Sequence, residues 1–360
     1  MPNVRVYLLT YRRNVLLRRA LRSLLAQTFT DWVCELHNDD PDDPFPARLA
    51  GETGDPRILM RHHPNNLGGT RTFNLVFAPV AERYVCLLED DNWWEPAFLE
   101  RLVGLADEHP DAGFVWCNMK IWQETTEGDW IATGKTTAEI MWPGYELSGL
   151  TWFYWPQPQQ RFNTLHYNGS TLFRAAETGP LQIEPSAPQL AMETMRDRAL
   201  RYPGLYLREP LVNFAWTIST YREQQASLWL EFDALLDASF LRCCPRDAPS
   251  AAKLWRDADE SHPRRTTSLL IHAWLAGRAW EFARFARPRD WIRLSAHAFR
   301  HPIRFWRVIF VRRTYRKIWQ SLLEITARRF AEAESQGTHG WGPRRPHDTP
   351  AGPDSRPSAA

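Results

Sequence analysis

A five-residue apolar run, Tyr84 to Leu88, is followed at once by Glu89, Asp90 and Asp91, and then by Asn92-Trp93-Trp94-Glu95-Pro96. The run has the β-branched and aromatic content of a buried strand, and Pro96 ahead of Ala97-Phe98-Leu99-Glu100-Arg101-Leu102 suits the first turn of a helix. A strand feeding a helix in this way belongs in an α/β sheet, where ligands bind beyond the carboxyl ends of the strands. Three adjacent carboxylates repel one another. A chain tolerates them either as a solvated acidic turn or where a cation neutralises them.

Upstream, the same alternation repeats. Val4 to Leu9 reads as a first strand, Thr10-Tyr11-Arg12-Arg13 breaks it, and Leu16 to Leu25 has helical apolar spacing that stops at Gln27-Thr28-Phe29. Trp32 to Leu36 reads as a second strand running into His37-Asn38-Asp39-Asp40-Pro41-Asp42-Asp43, so acids again gather just past a strand end. Strand, helix and strand within about 35 residues make one βαβ unit with parallel strands and a right-handed crossover. Ile58 to Met60 gives a weak third strand. Asn65 to Thr70, with Gly68-Gly69, is a loop, and a helix is expected from Arg71 to Ala81 on Phe73, Val76 and Phe77.

A chain of 360 residues allows two domains. The formal net charge of +2 names no partner, but the charge is unevenly spread: Arg284 to Phe330 holds thirteen Lys/Arg against two acids, Asp290 and Glu324. Five cysteines with no Cys-x-x-Cys pair argue against a disulfide framework and a zinc ribbon, and fit a reducing compartment. The sequence enters a strand at once, and no apolar run reaches the roughly 18 residues of a membrane span. A cytoplasmic protein is expected.

Acidic loops at two strand ends, with a Gly-Gly loop opening a helix, suit a nucleotide diphosphate. Five pieces stand in a recognisable order and spacing: Leu9-Thr10-Tyr11-Arg12-Arg13, Gln27-Thr28-Phe29-Thr30-Asp31-Trp32, Asn38-Asp39-Asp40, Asn66-Leu67-Gly68-Gly69-Thr70-Arg71-Thr72-Phe73-Asn74 and Glu89-Asp90-Asp91-Asn92. With them the chain resembles the family-2 glycosyltransferases of the GT-A fold, which move a sugar from a nucleotide diphosphate to a hydroxyl with inversion at the anomeric carbon. The resemblance implies an α/β domain over residues 1–230, a Rossmann-like, mostly parallel sheet with flanking helices. Its nucleotide-binding half covers 1–115 and its acceptor half 116–230. It continues less sharply through His166-Tyr167-Asn168-Gly169-Ser170 and Tyr206 to Val212. In one place the chain departs from the pattern, carrying Glu193-Thr194 where family members commonly have Glu-Asp.

What the resemblance implies for individual residues follows from charge chemistry. A divalent cation, Mn²⁺ or Mg²⁺, offsets the charge on a leaving diphosphate, and such ions take one or two carboxylates plus phosphate oxygens. Asp91 is the expected metal residue, with Asp90 facing ribose or sugar hydroxyls. Asp39 is expected on a base N–H, such as that of uracil in a UDP-sugar, with Tyr11 against the ring and Arg71 near the phosphates. Glu193 is the expected base for the acceptor hydroxyl, with Asp197 one turn on in reserve. His166, Asn168 and Trp94 are expected on the acceptor side. The implied activity is a hexosyl transfer, in cell-envelope polysaccharide or glycolipid synthesis. Thr194 keeps open a second reading, a non-catalytic domain that binds a nucleotide-sugar or a partner.

Residues 121–165 read as a long irregular binding loop rich in tryptophan. Beyond, residues 231–335 read as a basic helical extension, with helices at 227–241, 266–287, 290–310 and 312–334 and Pro288 and Pro302 as breaks. Between Ala298 and Arg313 aromatics and arginines interleave, as in a helix resting on an anionic membrane, such as the inner leaflet. The alternative is an arm packed on the acidic core. No nucleic-acid module is recognisable, and the Gly/Pro/Ser-rich stretch 336–360 is expected to be disordered.

Overall fold

In the computed structural model, which describes residues 3–141, 149–155, 168–218, 226–261 and 265–335, a ten-stranded sheet runs through the centre of the N-terminal region. Val4–Thr10 (β1) pairs in parallel with Trp32–Asn38 (β2), which pairs in parallel with Ile58–His62 (β3). On its other side β1 pairs in parallel with Tyr84–Glu89 (β4). The sheet therefore grows outward from β1 to β3 and then returns to β1's other edge. That reversal makes the carboxyl ends of β1 and β4 the topological switch point, where open α/β sheets bind ligands.

Past β4 lie Trp93–Trp94 (β5), Phe114–Glu124 (β6), Trp130–Thr136 (β7), Leu150–Phe153 (β8), Thr171–Arg174 (β9) and Gly204–Trp216 (β10). The order across the sheet is β3-β2-β1-β4-β9-β6-β10-β5, with β7 on β6 and β8 on β10. Strand β9 runs antiparallel to both β4 and β6, whereas β6 and β10 are parallel to each other. The sheet is mixed, with a parallel half that carries the switch point. Asn14–Leu25 (α1), Phe45–Thr53 (α2), Gly69–Leu75 (α3) and Phe98–Glu108 (α4) connect these strands.

Side chains alternate across the strands as a two-residue period demands. Val4, Val6 and Leu8 of β1 with Tyr84, Cys86 and Leu88 of β4 face Leu17, Leu21, Phe98 and Leu102 of α1 and α4. Tyr7, Leu9, Val85 and Leu87 face the opposite way, into a cluster with Phe73 and Phe77. Each fully buried large apolar side chain contributes about 1.5–3 kcal/mol. With both faces covered, β1 and β4 read in sequence as continuous apolar runs.

The helical extension shares the second of those clusters. Helix Ala226–Cys243 places Phe232, Leu235 and Phe240 in it, and Trp155 meets both Phe240 and Phe330 edge to face. Val311 of helix Pro302–Thr314 and Ile318, Leu322 and Ile325 of helix Arg316–Ser335 join the same cluster.

Several expectations need correction. Helix α2, with Pro46 in its first turn, stands where no element was expected. Helix α3 ends at Leu75 rather than Ala81, and its end is tied down by Asn74, whose Nδ2 donates to the Ile183 carbonyl and whose Oδ1 accepts the Ile183 N–H. The stretch expected to be irregular holds β7, the helix Thr137–Met141 and β8; residues 142–148 and 156–165 of it lie outside the described residues. The expected 266–287 helix is two, Arg265–Leu275 and Ala279–Ala283, parted by Gly277 at φ +72°, and Ala248–Ser261 is a further helix. Pro288 and Pro302 open Pro288–Arg300 and Pro302–Thr314, where a missing N–H costs nothing, and Arg316–Ser335 follows. The 336–360 stretch, expected to be disordered, lies outside the described residues.

Candidate active site

The register of the three parallel strands brings their acids to one edge. Leu9 stands opposite both His37 and Glu89, and Thr10 opposite Asn38, so Tyr11, Asp39 and Asp90 leave the sheet at one level. Asp90 is buried; its Oδ2 accepts from Thr10 Oγ1 at 2.8 Å and from the Tyr11 N–H at 3.4 Å. The acid loop is therefore stitched to the end of β1. Asn92 ties the same loop to β10: its Nδ2 donates to Glu89 Oε2 at 2.8 Å, and its Oδ1 accepts the Ala215 N–H at 3.0 Å.

Charge in this corner is crowded. Burial and the neighbouring charges of Asp91, Glu193 and Asp90 hold the Glu89 carboxyl far above the usual carboxylate range. Burial and Asp91 push Asp90 up to about 7, against the opposing pull of Arg13. Burial likewise raises Asp91, despite its bond to Arg13. Arg13 Nη1 donates to Asp91 Oδ2 at 2.6 Å and to Asp90 Oδ1 at 3.3 Å. Arg19 donates to the Asp91 carbonyl at 2.7 Å, its guanidinium held over the rings of Trp93 and Trp130 at 3.7 and 4.4 Å.

Glu193 approaches from helix Gln189–Asp197. Its Oε1 accepts the Asn168 N–H at 3.3 Å and Asn168 Nδ2 at 3.1 Å, while Arg196 donates to Asn168 Oδ1 at 3.2 Å. Arg196 is fully buried, lies over the Phe77 ring, and is lowered to about 9 by burial, with Glu193 and Glu89 pulling the other way. Gly169 lets these pieces meet, since a Cβ there would stand 3.2 Å from both Glu89 Oε2 and Asn92 Nδ2.

Asp39 is buried between β2 and the Gly-Gly loop. Its Oδ1 accepts the Leu67 N–H at 2.7 Å and its Oδ2 the Gly68 N–H at 3.1 Å. Gly68 sits at φ +79°, a conformation that favours glycine and turns its N–H toward the carboxylate. Tyr11 is 44% exposed at the lip, with the Arg12 guanidinium over its ring and Arg12 paired to Asp40 at 2.6 Å. Arg71 is exposed in the first turn of α3. The structure thus gathers Asp90, Asp91, Glu193 and Asn168 with Glu89, and sets Tyr11 and Asp39 on the neighbouring loops.

Two acceptor-side expectations are corrected. Trp94 is 2% exposed, stacks on Phe98 with ring centroids 4.2 Å apart, and donates its indole N–H to the Gly169 carbonyl at 2.9 Å, so it offers no face to a sugar. Asp197 is wholly buried and accepts the Tyr202 hydroxyl at 3.2 Å, which withdraws it from an acceptor. His166 lies outside the described residues. Sequence reasoning missed Arg13, Arg19, Asn92 and Arg196. A signal existed for Arg196, one helical turn past Glu193, and for Arg13, the last residue of Thr10-Tyr11-Arg12-Arg13.

Among the described residues no three His, Cys, Asp or Glu side chains form a ready ligand cage. Magnesium and manganese do not need one, since substrate phosphates complete their shell. Glu89, Asp90 and Asp91, each raised chiefly by burial, are an oxygen donor set whose ionised form such a cation would favour. A separate cleft of about 560 Å³ lined by Arg83, Tyr84 and Arg174 opens at the amino end of β4, away from these acids.

This edge, a switch point flanked by acids, fits the GT-A architecture that the sequence resemblance implies. Residues 6–165 match the model of glycosyl transferase family 2. The fold is similar to the crystal structure of S. aureus TarS 1-349, at 12% identity and a TM-score of 0.51, over 93% of this chain and 92% of that one. It is also similar to S. aureus TarS 1-349 in complex with UDP-GlcNAc, at 13% identity and a TM-score of 0.50 over the same shares.

Proposed function

We propose that this protein transfers a sugar from a UDP-sugar to a hydroxyl of a glycan or lipid-linked acceptor, with inversion, in cell-envelope polysaccharide or glycolipid synthesis. The observation that carries the proposal is that β1, β2 and β4 end side by side, so that Tyr11, Asp39 and Asp90-Asp91 follow neighbouring strand ends, with Glu193 near enough to act on Glu89. The UDP-GlcNAc bound by TarS, a protein of the same fold, supports a donor of this class.

In this reading the uracil ring lies against Tyr11, with its N–H toward Asp39, whose two backbone bonds leave lone pairs to accept a third. Asp90 receives a ribose or sugar hydroxyl, and Arg71 serves the diphosphate. Asp91, with Asp90 beside it, would hold Mn²⁺ or Mg²⁺, which when bound offsets charge on the leaving phosphate. Arg13, between the two carboxylates, pulls toward their ionised forms and holds them in place. The acceptor oxygen forms its bond to the anomeric carbon as the bond to the diphosphate breaks, and its proton passes to Glu193. Asn168 fixes that carboxylate through two hydrogen bonds.

The test is donor turnover with Mn²⁺ across a panel of nucleotide sugars. Turnover of a UDP-sugar that Asp91→Ala and Glu193→Gln each abolish is expected. Tight donor binding without turnover in any pairing would overturn the enzymatic reading and leave a binding domain.

A further inference from the structure

Helices Pro288–Arg300 and Pro302–Thr314 each turn an apolar stripe outward. Val308 and Val311 of the second helix face the core, and Ile303, Trp306 and Phe310, at i, i+3 and i+7, lie on the far side, 76%, 55% and 45% exposed. On the first helix Ile292 and Phe299, seven residues apart, are 68% and 88% exposed. Water leaves such side chains unsatisfied, and five of them on two adjacent helices exceed the scattered exposure of an ordinary surface.

The charge around the stripes selects the partner. Between Asp290 and Glu324 there is no acid, while residues 291–317 hold eight Lys/Arg. Some serve the fold: Arg307 pairs with Glu231 at 2.6 Å, and Arg312 donates to the Leu275 carbonyl. Arg300 and Arg304 are exposed, and among the described residues no carboxylate pairs with either. Arg313 is exposed with its guanidinium over Phe310. Two copies meeting through this face would bring like charges together, and an ordinary acidic protein surface scatters its apolar atoms rather than gathering them into a bed for Phe299 and Ile303. An anionic phospholipid surface meets both demands, with acyl chains for the stripe and phosphates for the guanidinium groups. Among the described residues no helix is long and apolar enough to cross a membrane, so the pair would lie on the surface.

We infer that the outward face of helices 288–300 and 302–314 is a docking surface for anionic phospholipid bilayers. The face is independent of the crevice at the switch point, so the inference stands whatever the fate of the transfer reaction. Flotation of the full chain with vesicles of phosphatidylcholine alone or with about 30% phosphatidylglycerol tests it. At least tenfold more protein is expected on the anionic vesicles. Combining Phe299→Ser, Ile303→Ser and Trp306→Ser should remove that binding with no loss of melting temperature, since all three are exposed. Arg300→Glu with Arg304→Glu should weaken it at least tenfold at low salt. No preference for anionic vesicles, binding unchanged in both variants, or self-association of the free protein that the Ser variant abolishes would overturn the inference.

Discussion

Arg13 and Asp91 are 78 residues apart in the chain, yet Arg13 Nη1 donates to Asp91 Oδ2 at 2.6 Å, closing the end of β1 onto the end of β4. The guanidinium stands between the Asp90 and Asp91 carboxylates, whose negative charges repel. It is the fold's own answer to the charge crowding that a divalent cation would also relieve.

Replacing it should expose that debt. Arg13→Gln leaves Asp90 and Asp91 without their shared cation, and a loss of about 2 kcal/mol of stability is expected, less than the 3–5 of a fully buried pair because the carboxyls can take up protons. Millimolar Mn²⁺ should restore more melting temperature to the variant than it adds to the wild type. Chemical denaturation with and without Mn²⁺ checks both.

Glu193 and Asp197 sit one turn apart and should behave differently. Glu193→Gln keeps the size and the Asn168 contacts but removes a proton acceptor, so kcat should fall about 10²–10⁴-fold with donor affinity nearly unchanged. Asp197→Asn, inside the core beside Tyr202, should lower the melting temperature and leave the pH profile of kcat in place. Steady-state kinetics over pH on both variants separates the roles.

The Asp39 carboxylate holds two backbone N–H groups of the Gly-Gly loop. Asp39→Ala leaves both donors unpaired and should cost about 1–3 kcal/mol. In the proposed reading it also removes a base contact, so UDP affinity should fall more than that of inorganic diphosphate. Calorimetric titration with the two ligands checks the difference.

How much of this was legible in sequence depends on whether local pattern or tertiary context set each element. Strands β1 and β4 were readable because burial on both faces makes them apolar runs, and β2 because buried Trp32, Cys34 and Leu36 alternate with half-buried residues; their acids lie at the ends by chain order alone. Gln27 looked like one motif residue among others, and its work is structural: it donates to the Glu95 carbonyl and accepts the Leu99 N–H, joining α1 to α4. Trp94 misled because sequence cannot tell a stacked, buried indole from a sugar platform. The pairing of β7 with β6 was hidden because Trp130 to Thr136 mixes exposed and half-buried residues and has no apolar face to betray a strand. Arg13 was hidden because its partner lies on another strand, and only the register says so.

A pH effect follows from His37, which is buried beside Tyr7, His63, Glu35 and Arg61. Burial lowers it from 6.5 to about 4, so the unfolded chain binds a proton that the folded chain refuses. Stability should fall by up to about 3 kcal/mol as pH drops from 6.5 to 4, and rise again with pH across that window. Asp90, raised to about 7, works in the opposite sense, so the measurement is the difference in unfolding free energy between wild type and His37→Gln across this range. A difference that does not change with pH would contradict the assignment.

The most direct test of a single crevice shared by β1, β2 and β4 is the melting shift produced by UDP with Mn²⁺, measured on wild type, Asp39→Ala and Asp91→Ala. Ligand at about 100 times its Kd adds about 2.7 kcal/mol to a folded state that binds it. The account predicts a clear upward shift for the wild type that needs Mn²⁺, is reduced by Asp39→Ala and is lost in Asp91→Ala. An equal shift in all three proteins, or none in the wild type, would contradict it.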